Sequence, residues 1–365
     1  MRRMRWVVLS LVLASVVMLA GAMLARAEDG DAQKAAAAKT GFAVKKPVFG
    51  GACPTCPWGS IAEVVKKALK FYGWDVQICY YCAGGPREAR LVAGAKMATP
   101  PQNPGPNDLP TPKGPIDFGA TTPDFLWWAY QGRNDFAKDP EGPRKQLRLV
   151  ANIQEPNYYI VAVKADSGIS DLHQILEKRM KVNIMASTGI GGLMTAEVLE
   201  YFGLTKEKMA ALGGELRTRT DPENRKNLDV IIGWGALENA PEYNMWYEVS
   251  QKYDLKYLRL PDDLLDKLAA KYDLDRGTVP LGLLRGIDAP IPTVTRTGAA
   301  IYGRTDMPDD FAYTLAKAMD EHQDLLQWAN SGMQFSYNWR TVWKAFGVPL
   351  HPGAERYYKE KGYMK

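Results

Sequence analysis

Four cysteines are the residues whose types and spacing most clearly could do chemistry. Cys53 and Cys56 form one C-x2-C pair, and Cys79 and Cys82 form a second pair after 22 intervening residues. Thiolates at this spacing can bind zinc, although the gap slightly exceeds the usual ribbon spacing, or can act as a redox pair. In an oxidising compartment we expect two disulfides that link the two loops. Their connectivity is not readable from the sequence.

Glycine-rich stretches at strand-to-helix junctions are a second candidate for chemistry. Residues 187–192 offer two hydroxyls and several backbone N–H groups, which could hold a carboxylate without a basic side chain. Gly50-Gly51 and Ala83-Gly84-Gly85 stand before predicted helices in the same way. The alternative is an ordinary turn, because a short glycine-rich loop is a weak motif. None of the three has the GxxxxGK[ST] pattern of a nucleotide-binding loop.

The other polar residues do not indicate an enzyme. His173, His322 and His351 are far apart and lack the spacing of a metal site, and no GxSxG motif is present. Carboxylates such as Asp124 and Glu155 form no distinctive pair, so we interpret them as solvated surface groups. We therefore expect no catalytic residue, no metal site and no cofactor.

Aromatic residues concentrate near the same loops and could stack on a flat or apolar ligand. Adjacent Trp127 and Trp128 cannot both face inward on one helix, so some of this cluster must be core packing. We expect at least one member to contact the ligand, and Trp234 is a candidate because it follows a predicted strand. The cluster comprises Trp58, Tyr80, Tyr81, Trp127, Trp128, Tyr158, Tyr159 and Trp234.

The elements that position these residues alternate between strands and helices. An apolar stripe predicts a helix over Ser60–Tyr72, capped by Ser60 and ended by Gly73. Further alternation in two blocks, with a change near residues 147–160, predicts parallel α/β sheets whose carboxyl-end loops line a ligand crevice. The predicted strands include Leu147–Ile153, Tyr158–Val163 and Val294–Tyr302. The proline-rich stretch 99–115 is predicted to be a surface excursion.

The N-terminus has the order of a secretory signal peptide. Basic residues MRRMR precede an uncharged apolar stretch, Trp6–Leu24, and an A-x-A pattern ends at Ala27. We expect cleavage there, or else a retained anchor, and a periplasmic location in either case. Cleavage removes four arginines and no acid, so most of the formal net charge of +5 belongs to the signal. Basicity therefore gives no support for a nucleic-acid partner. Residues 28–46 are interpreted as a flexible leader.

Several segments in this order resemble the TAXI-type solute receptors of tripartite ATP-independent periplasmic (TRAP) transporters. Residues 83–94 resemble the family's TGGS-x-EN-x-RLL segment, and DFLWWAYQG at 124–132 resembles its D-x-A-x-x-A-x-x-G helix. Residues 187–204 and 304–310 are similar to its glycine/serine loop with following helix and to its TRADLPED segment. The most distinctive segment is VPLHPGAERYY at 348–358.

This resemblance implies a two-lobed, type II-like periplasmic binding protein, each lobe a mixed, mainly parallel sheet flanked by helices. Lobe 1 would comprise residues 47–152 and 290–365, and lobe 2 residues 153–289. It also implies a monomer that captures a small organic acid, a carboxylate or an amino-acid-like molecule, for a membrane permease. The implied ligand contacts, with Trp234 added from its position, are Gly51, Ala52, Gly84, Gly85, Thr121, Thr122, Ser187, Thr188, Gly189, Ile190 and Gly191.

Two other functions stay open at this point. One is a receptor of the same fold that serves a periplasmic sensor or enzyme instead of a permease. The other is a metal or redox protein that uses the four cysteines. The cysteine pairs replace hydroxyl and aromatic residues in the family's first loop, and the 99–115 stretch looks like an insertion, so this chain departs from the family pattern beside the implied site.

Overall fold

A computed structural model describes residues 41–52, 57–80, 82, 85–98, 109–186, 189–218, 226–236, 241–329, 337–344 and 346–365. Some of the predicted features lie outside the described residues: the signal peptide, Cys53, Cys56, Gly84, Ser187 and Thr188. So does most of the proline-rich stretch. No helix of the described part is long and apolar enough to cross a membrane.

The described strands form one ten-stranded mixed sheet. The strands are β1 Val48–Gly50, β2 Gln77–Ile78, β3 Phe118–Thr121, β4 Leu147–Lys164, β5 Asn183–Ala186, β6 Glu215–Thr218, β7 Val230–Gly235, β8 Leu255–Tyr257, β9 Asp275–Val279 and β10 Ile291–Arg304. The path of the sheet is β2-β1-β3-β10-β4-β7-β5-β6, with β8 pairing to β4 and β9 pairing to β10.

Helices connect these strands and cover the sheet. They are α1 Pro57–Lys70, α2 Gly85–Ala93, α3 Pro123–Gln131, α4 Gln174–Glu177, α5 Gly189–Tyr201, α6 Lys206–Ala211, α7 Pro241–Lys252, α8 Asp262–Tyr272, α9 Asp309–Glu321, α10 Asp324–Ala329 and α11 Pro352–Glu360.

The strand order repeats itself on either side of the two long strands. β1 lies between parallel β2 and β3, and β5 lies between parallel β6 and β7. The antiparallel pair β4 and β10 joins these two parallel groups. We call the part built around β1–β3 the first lobe and the part built around β5–β7 the second lobe. The predicted fold class, two α/β lobes with mainly parallel sheets, is confirmed; the exact lobe boundaries stay a prediction.

β4 is one continuous strand, whereas the sequence predicts two strand-like segments at Leu147–Ile153 and Tyr158–Val163. Residues from Leu147 to Tyr158 pair with β10, and Tyr158 to Val163 pair with β7 of the second lobe. β10 crosses in the opposite direction, and its register with β4 shifts between Thr297 and Ala299. The two segments that pass between the lobes are therefore extended strands.

The first predicted helix is present with both ends shifted, since the sequence predicts Ser60–Tyr72 and α1 runs from Pro57 to Lys70. α1 begins at Pro57, before the predicted cap Ser60, because proline's fixed φ and missing N–H suit a first helical turn. Its predicted stripe is buried, including Ile61, Val65 and Leu69. Gly73 follows the helix at φ +78°, a conformation that glycine adopts without steric cost. The neighbouring strands β1 and β2 are parallel, with Val48 opposite Gln77, as the βαβ pattern predicts.

Candidate functional site

A cavity of about 320 Å³ lies where both lobes and one crossing strand meet. The start of α3 from the first lobe forms one side, and the segment from the end of α8 to the start of β9 forms the other. β10 contributes Thr295 and Arg296. The lining residues are Pro123, Asp124, Trp127, Asp273, Leu274, Asp275, Thr295, Arg296 and Phe346.

Asp124 stands in the first turn of α3, after Thr122 and Pro123, and is 4% exposed. The expectation that it is a solvated surface acid is therefore wrong. Burial raises the pKa of its carboxyl, and the nearby charge of Arg296, the Thr122 hydroxyl and the first N–H groups of α3 oppose that rise. Among the described residues, neither carboxylate oxygen has a hydrogen bond of regular geometry.

Arg296 is the basic residue among those that line the cavity. Its guanidinium lies over the ring of Trp234, 4.5 Å from the centroid, and the cation–π contact helps to hold it in place. Trp234 in turn packs edge-on against Tyr159 at 5.5 Å, and both rings are buried. Trp234, predicted to contact the ligand, therefore lies behind Arg296, and its contact role stays a prediction.

The two adjacent tryptophans of α3 face different ways, as predicted. Trp127 lines the cavity together with Phe346, whereas Trp128 is 1% exposed and packs in the core against Phe125 and Tyr272. Gly347 supports this wall at φ +87°, where a Cβ would lie 2.3 Å from the Trp127 ring. The cavity therefore has an aromatic side that only a glycine at position 347 allows.

The second lobe contacts α3 through Asp273. This residue ends α8 in the left-handed conformation, at φ +53°. One carboxylate oxygen accepts a hydrogen bond from the indole N–H of Trp128 at 2.9 Å, and the other lies 3.3 Å from Arg133. Asp273 thereby joins the lobes at the edge of the cavity.

Two of the predicted contact residues of the first lobe, Gly51 and Thr121, lie beside a buried glutamate. Glu88 of α2 is fully buried and accepts a hydrogen bond from the Tyr302 hydroxyl at 2.5 Å. Burial raises the pKa of Glu88 well above its usual range. Gly51 stands beside it at φ +86°, and a Cβ on Gly51 would lie 2.7 Å from the carboxyl group. Gly51, Ala52, Thr121 and Thr122 are all buried.

These first-lobe residues do not line the cavity. Two of them are only neighbours, in the sequence, of residues that do. Thr121 and Thr122 directly precede the lining residues Pro123 and Asp124. Gly85, Gly189, Ile190 and Gly191 lie at the starts of α2 and α5. The contact roles of all these residues therefore stay predictions.

Sequence reasoning missed the lining residues of β10 and of the α8–β9 segment. Arg296 carries a usable signal, since it is a charged residue inside the predicted strand 294–302. Asp273, Asp275 and Phe346 have no local pattern that marks them. Only the pairing of β9 with β10, which sets Asp275 opposite Thr295, brings the segment to the cavity.

The second cysteine pair forms a disulfide within its own loop, between Cys79 and Cys82. The prediction of a disulfide is confirmed for this pair, whereas the prediction that it links the two loops is wrong. Both residues are buried at the end of β2. An oxidised pair supplies no thiolate, so a four-cysteine metal site is incompatible with this pairing. The described residues contain no cluster of three or more metal-ligating side chains.

Comparison with known proteins gives one family and several remote structures. A family model described as the NMT1-like family matches residues 107–362. A structure described as a periplasmic transporter is 15% identical, covering 87% of this chain and 93% of its own, with a TM-score of 0.38. MatC from Rhodopseudomonas palustris with bound malate is 12% identical, covering 79% and 87%, with a TM-score of 0.40. ProX, the glycine betaine/L-proline-binding protein from Borrelia burgdorferi, is 15% identical, covering 73% and 79%, with a TM-score of 0.39.

Proposed function

The chain belongs to the NMT1-like family, and from this premise we propose that it is a periplasmic receptor for a small organic acid. The acid, a carboxylate or an amino-acid-like molecule, is held without covalent chemistry in the cavity between the lobes. The observation that carries the proposal is the position of this cavity, beside a crossing strand and between α3 and the α8–β9 segment. A hinge motion of β4 and β10 would open and close it.

Arg296 is the proposed anchor for the ligand carboxylate. A guanidinium can donate two parallel hydrogen bonds to a carboxylate. The Trp234 ring already holds the Arg296 side chain in place, so that side chain loses less conformational entropy when the ligand binds. The positive end of α3 is a weaker anchor. Pro123 at its first position has no N–H, and the next N–H groups already face the Asp124 carboxylate. The carboxylate of the ligand therefore belongs at Arg296.

Calorimetry and thermal shift with a broad carboxylate panel test this proposal. The substitution Arg296→Gln should weaken binding of any active acid at least about tenfold, since hydrogen bonds to charged groups contribute about 1.5–3 kcal/mol. Arg296→Lys is the matched control, which keeps the charge and loses the planar fork. If no acid changes the melting temperature or gives heat, the organic-acid proposal is wrong.

The partner we propose is a TRAP-type permease, which follows from the resemblance of the motifs. Solute uptake by membranes that contain a co-expressed candidate permease should require the receptor and should fail with Arg296→Gln. Uptake that is independent of the receptor, combined with intact ligand binding, would instead favour a receptor for a sensor or an enzyme.

A further inference from the structure

A second cavity, of about 680 Å³, lies on the outer edge of the first lobe. Its lining comes from residues 41–46, Lys66 of α1, residues 77–80 and residues 109–115. We call this cavity the edge groove. It includes β2, the terminal strand of the sheet, which β1 and β3 separate from β10 by about 14 Å at the usual strand spacing. The edge groove shares no lining residue with the cavity between the lobes, so an occupant leaves that cavity free.

Three lysines line the edge groove, and no acidic side chain does. Lys46, Lys66 and Lys113 come from three different segments, so the fold gathers them and not a local run of charge. Lys46 lies 3.7 Å from Asp75, but both side chains are more than half exposed, and such a pair is weak. Within the described residues, Lys66 and Lys113 form no ion pair. Glu63, one turn before Lys66, accepts a hydrogen bond from a tyrosine hydroxyl instead.

Residues 109–115 form a largely apolar wall of the edge groove. Three prolines in this stretch fix the backbone φ, so the wall is ordered before anything binds. The Ala98 N–H donates a hydrogen bond to the Gly114 carbonyl at 3.1 Å, which holds the end of the stretch. Two apolar side chains of the groove are exposed, Val44 at 68% and Leu109 at 51%. An ordered apolar surface loses little conformational entropy when an extended chain binds to it.

We propose that the edge groove is a docking site for an extended acidic segment of a partner protein. The carboxylates of that segment pair with the three lysines, and its apolar side chains cover Val44 and Leu109. The charge of the groove decides the chemistry of the partner, since a lining of three cations and no anion repels a basic or neutral-polar segment less favourably matched to it. The partner binds the first lobe alone.

An inorganic anion and an anionic membrane surface are the competing occupants. A small anion uses the lysines but leaves the wall of residues 109–115 and the exposed Val44 uncovered. A flat membrane surface reaches Lys46 and Lys113, which are exposed, but not a recess lined by the partly buried Lys66. A segment of polypeptide satisfies the lysines and the apolar wall together.

The experiment selects short peptides from a displayed random library on the full chain and measures the affinity of the enriched peptides by fluorescence anisotropy. Inorganic pyrophosphate and phosphatidylglycerol vesicles are the probes for the two competing occupants. The groove variant removes the three lysine charges: Lys46→Gln, Lys66→Gln and Lys113→Gln. The control variant removes three charges from exposed lysines outside the groove: Lys67→Gln, Lys178→Gln and Lys206→Gln. Melting temperatures show that each variant is folded.

We expect the enriched peptides to contain more Asp and Glu than the library. The groove variant should bind them at least about tenfold more weakly, because it loses all three complementary charges. The control variant should bind them within about twofold of the wild type, since it alters only the net charge. Raising the salt concentration from about 0.1 M to about 0.5 M should also weaken binding, because salt screens these charges.

Three results would overturn the proposal. The first is a selection that does not enrich acidic peptides. The second is an equal loss of affinity in the groove and control variants, which would show attraction to net charge alone. The third is binding of pyrophosphate or vesicles that depends on the groove lysines while no peptide binds, which would assign the edge groove to a small anion or to a membrane surface.

Discussion

The indole N–H of Trp128 donates a hydrogen bond to the carboxylate of Asp273 at 2.9 Å, across 145 positions of the chain. Trp128 belongs to α3 of the first lobe, and Asp273 ends α8 of the second. Trp128 is almost fully buried, so its donor would be costly to leave unpaired. This contact, with Arg133 beside it, holds the lobes together at the edge of the cavity.

Replacing Asp273 with alanine should therefore favour the open arrangement and weaken ligand binding about tenfold. The bond has a charged acceptor, and such bonds contribute about 1.5–3 kcal/mol. Asp273→Asn is the matched control, because it keeps a carbonyl acceptor for Trp128 and loses the ion pair with Arg133. Small-angle scattering measures the opening of the lobes, and calorimetry measures the affinity for the ligand. If Asp273→Ala and Asp273→Asn change the opening and the affinity equally, the role given to the Trp128 hydrogen bond is wrong.

Gly347→Ala should disturb the aromatic wall of the cavity. The added Cβ would lie 2.3 Å from the Trp127 ring, and the positive φ of position 347 strains any side chain. We expect a loss of stability of about 1–3 kcal/mol together with weaker ligand binding. Gly362→Ala also introduces a side chain at positive φ but meets open space, so it controls for backbone strain. Unchanged binding in Gly347→Ala would show that Trp127 does not contact the ligand.

Because of the buried carboxyl of Asp117, we expect the free energy of unfolding to fall as the pH rises from about 4 to about 6. Burial raises the pKa of its carboxyl to about 6, although the backbone N–H of Val48, 2.8 Å away, opposes this rise. At a pH between the pKa of Asp117 in the unfolded chain and its higher pKa in the folded chain, only the folded chain keeps the proton on this carboxyl. The contribution of Asp117 to the free energy of unfolding is therefore largest at a pH below the unfolded pKa. The contribution is about 3 kcal/mol at most.

Urea unfolding at several pH values checks this prediction. Asp117→Asn keeps an acceptor for the Val48 N–H and cannot ionise, so its stability should vary less between pH 4 and 6. Asp75→Asn, at a half-exposed acid, should leave the wild-type slope unchanged. An identical slope in Asp117→Asn and the wild type would refute the assignment.

Because of His351, we expect the free energy of unfolding to have the opposite pH dependence. This histidine is fully buried and caps α11, where its Nδ1 accepts a hydrogen bond from the Gly353 N–H at 3.3 Å. Burial lowers the pKa of the imidazole, against the opposing effect of Asp309. The unfolded chain therefore takes up the proton first, and stability is lost as the pH falls below about 6.5.

An asparagine at position 351 can cap the helix without titrating. The loss of stability of His351→Asn between pH 7 and 5 should be smaller than that of the wild type, measured by the same urea titration. The exposed His173→Gln serves as the control substitution. A wild-type loss that persists in His351→Asn would place its origin elsewhere.

The cysteines should yield no free thiol under denaturing, non-reducing conditions. The described pair closes a loop with a sequence separation of 3, so the double variant Cys79→Ala/Cys82→Ala should lose only about 2 kcal/mol of stability. Its ligand profile should match that of the wild type. Titration of four thiols, with zinc bound to the native protein, would contradict the disulfide and revive the metal alternative.

The sequence by itself determined the local elements and the class of fold. The stripe of α1, the parallel β1 and β2, and the divergent faces of Trp127 and Trp128 follow from side-chain periodicity, which acts over a few residues. The ordered motifs that resemble solute receptors led to the same two-lobed architecture. These features need no knowledge of contacts between distant segments.

Only the tertiary structure decided which residues meet at the cavity and how they are charged. Asp124 became a buried acid because β10 and the α8–β9 segment close over the start of α3, which no local pattern encodes. The pairing of Cys79 with Cys82 likewise depends on backbone geometry and not on the count of cysteines. Long-range strand pairing between β9, β10 and β4 brings Asp275 and Arg296 to one site, since a hydrogen-bonded register joins residues far apart in the chain.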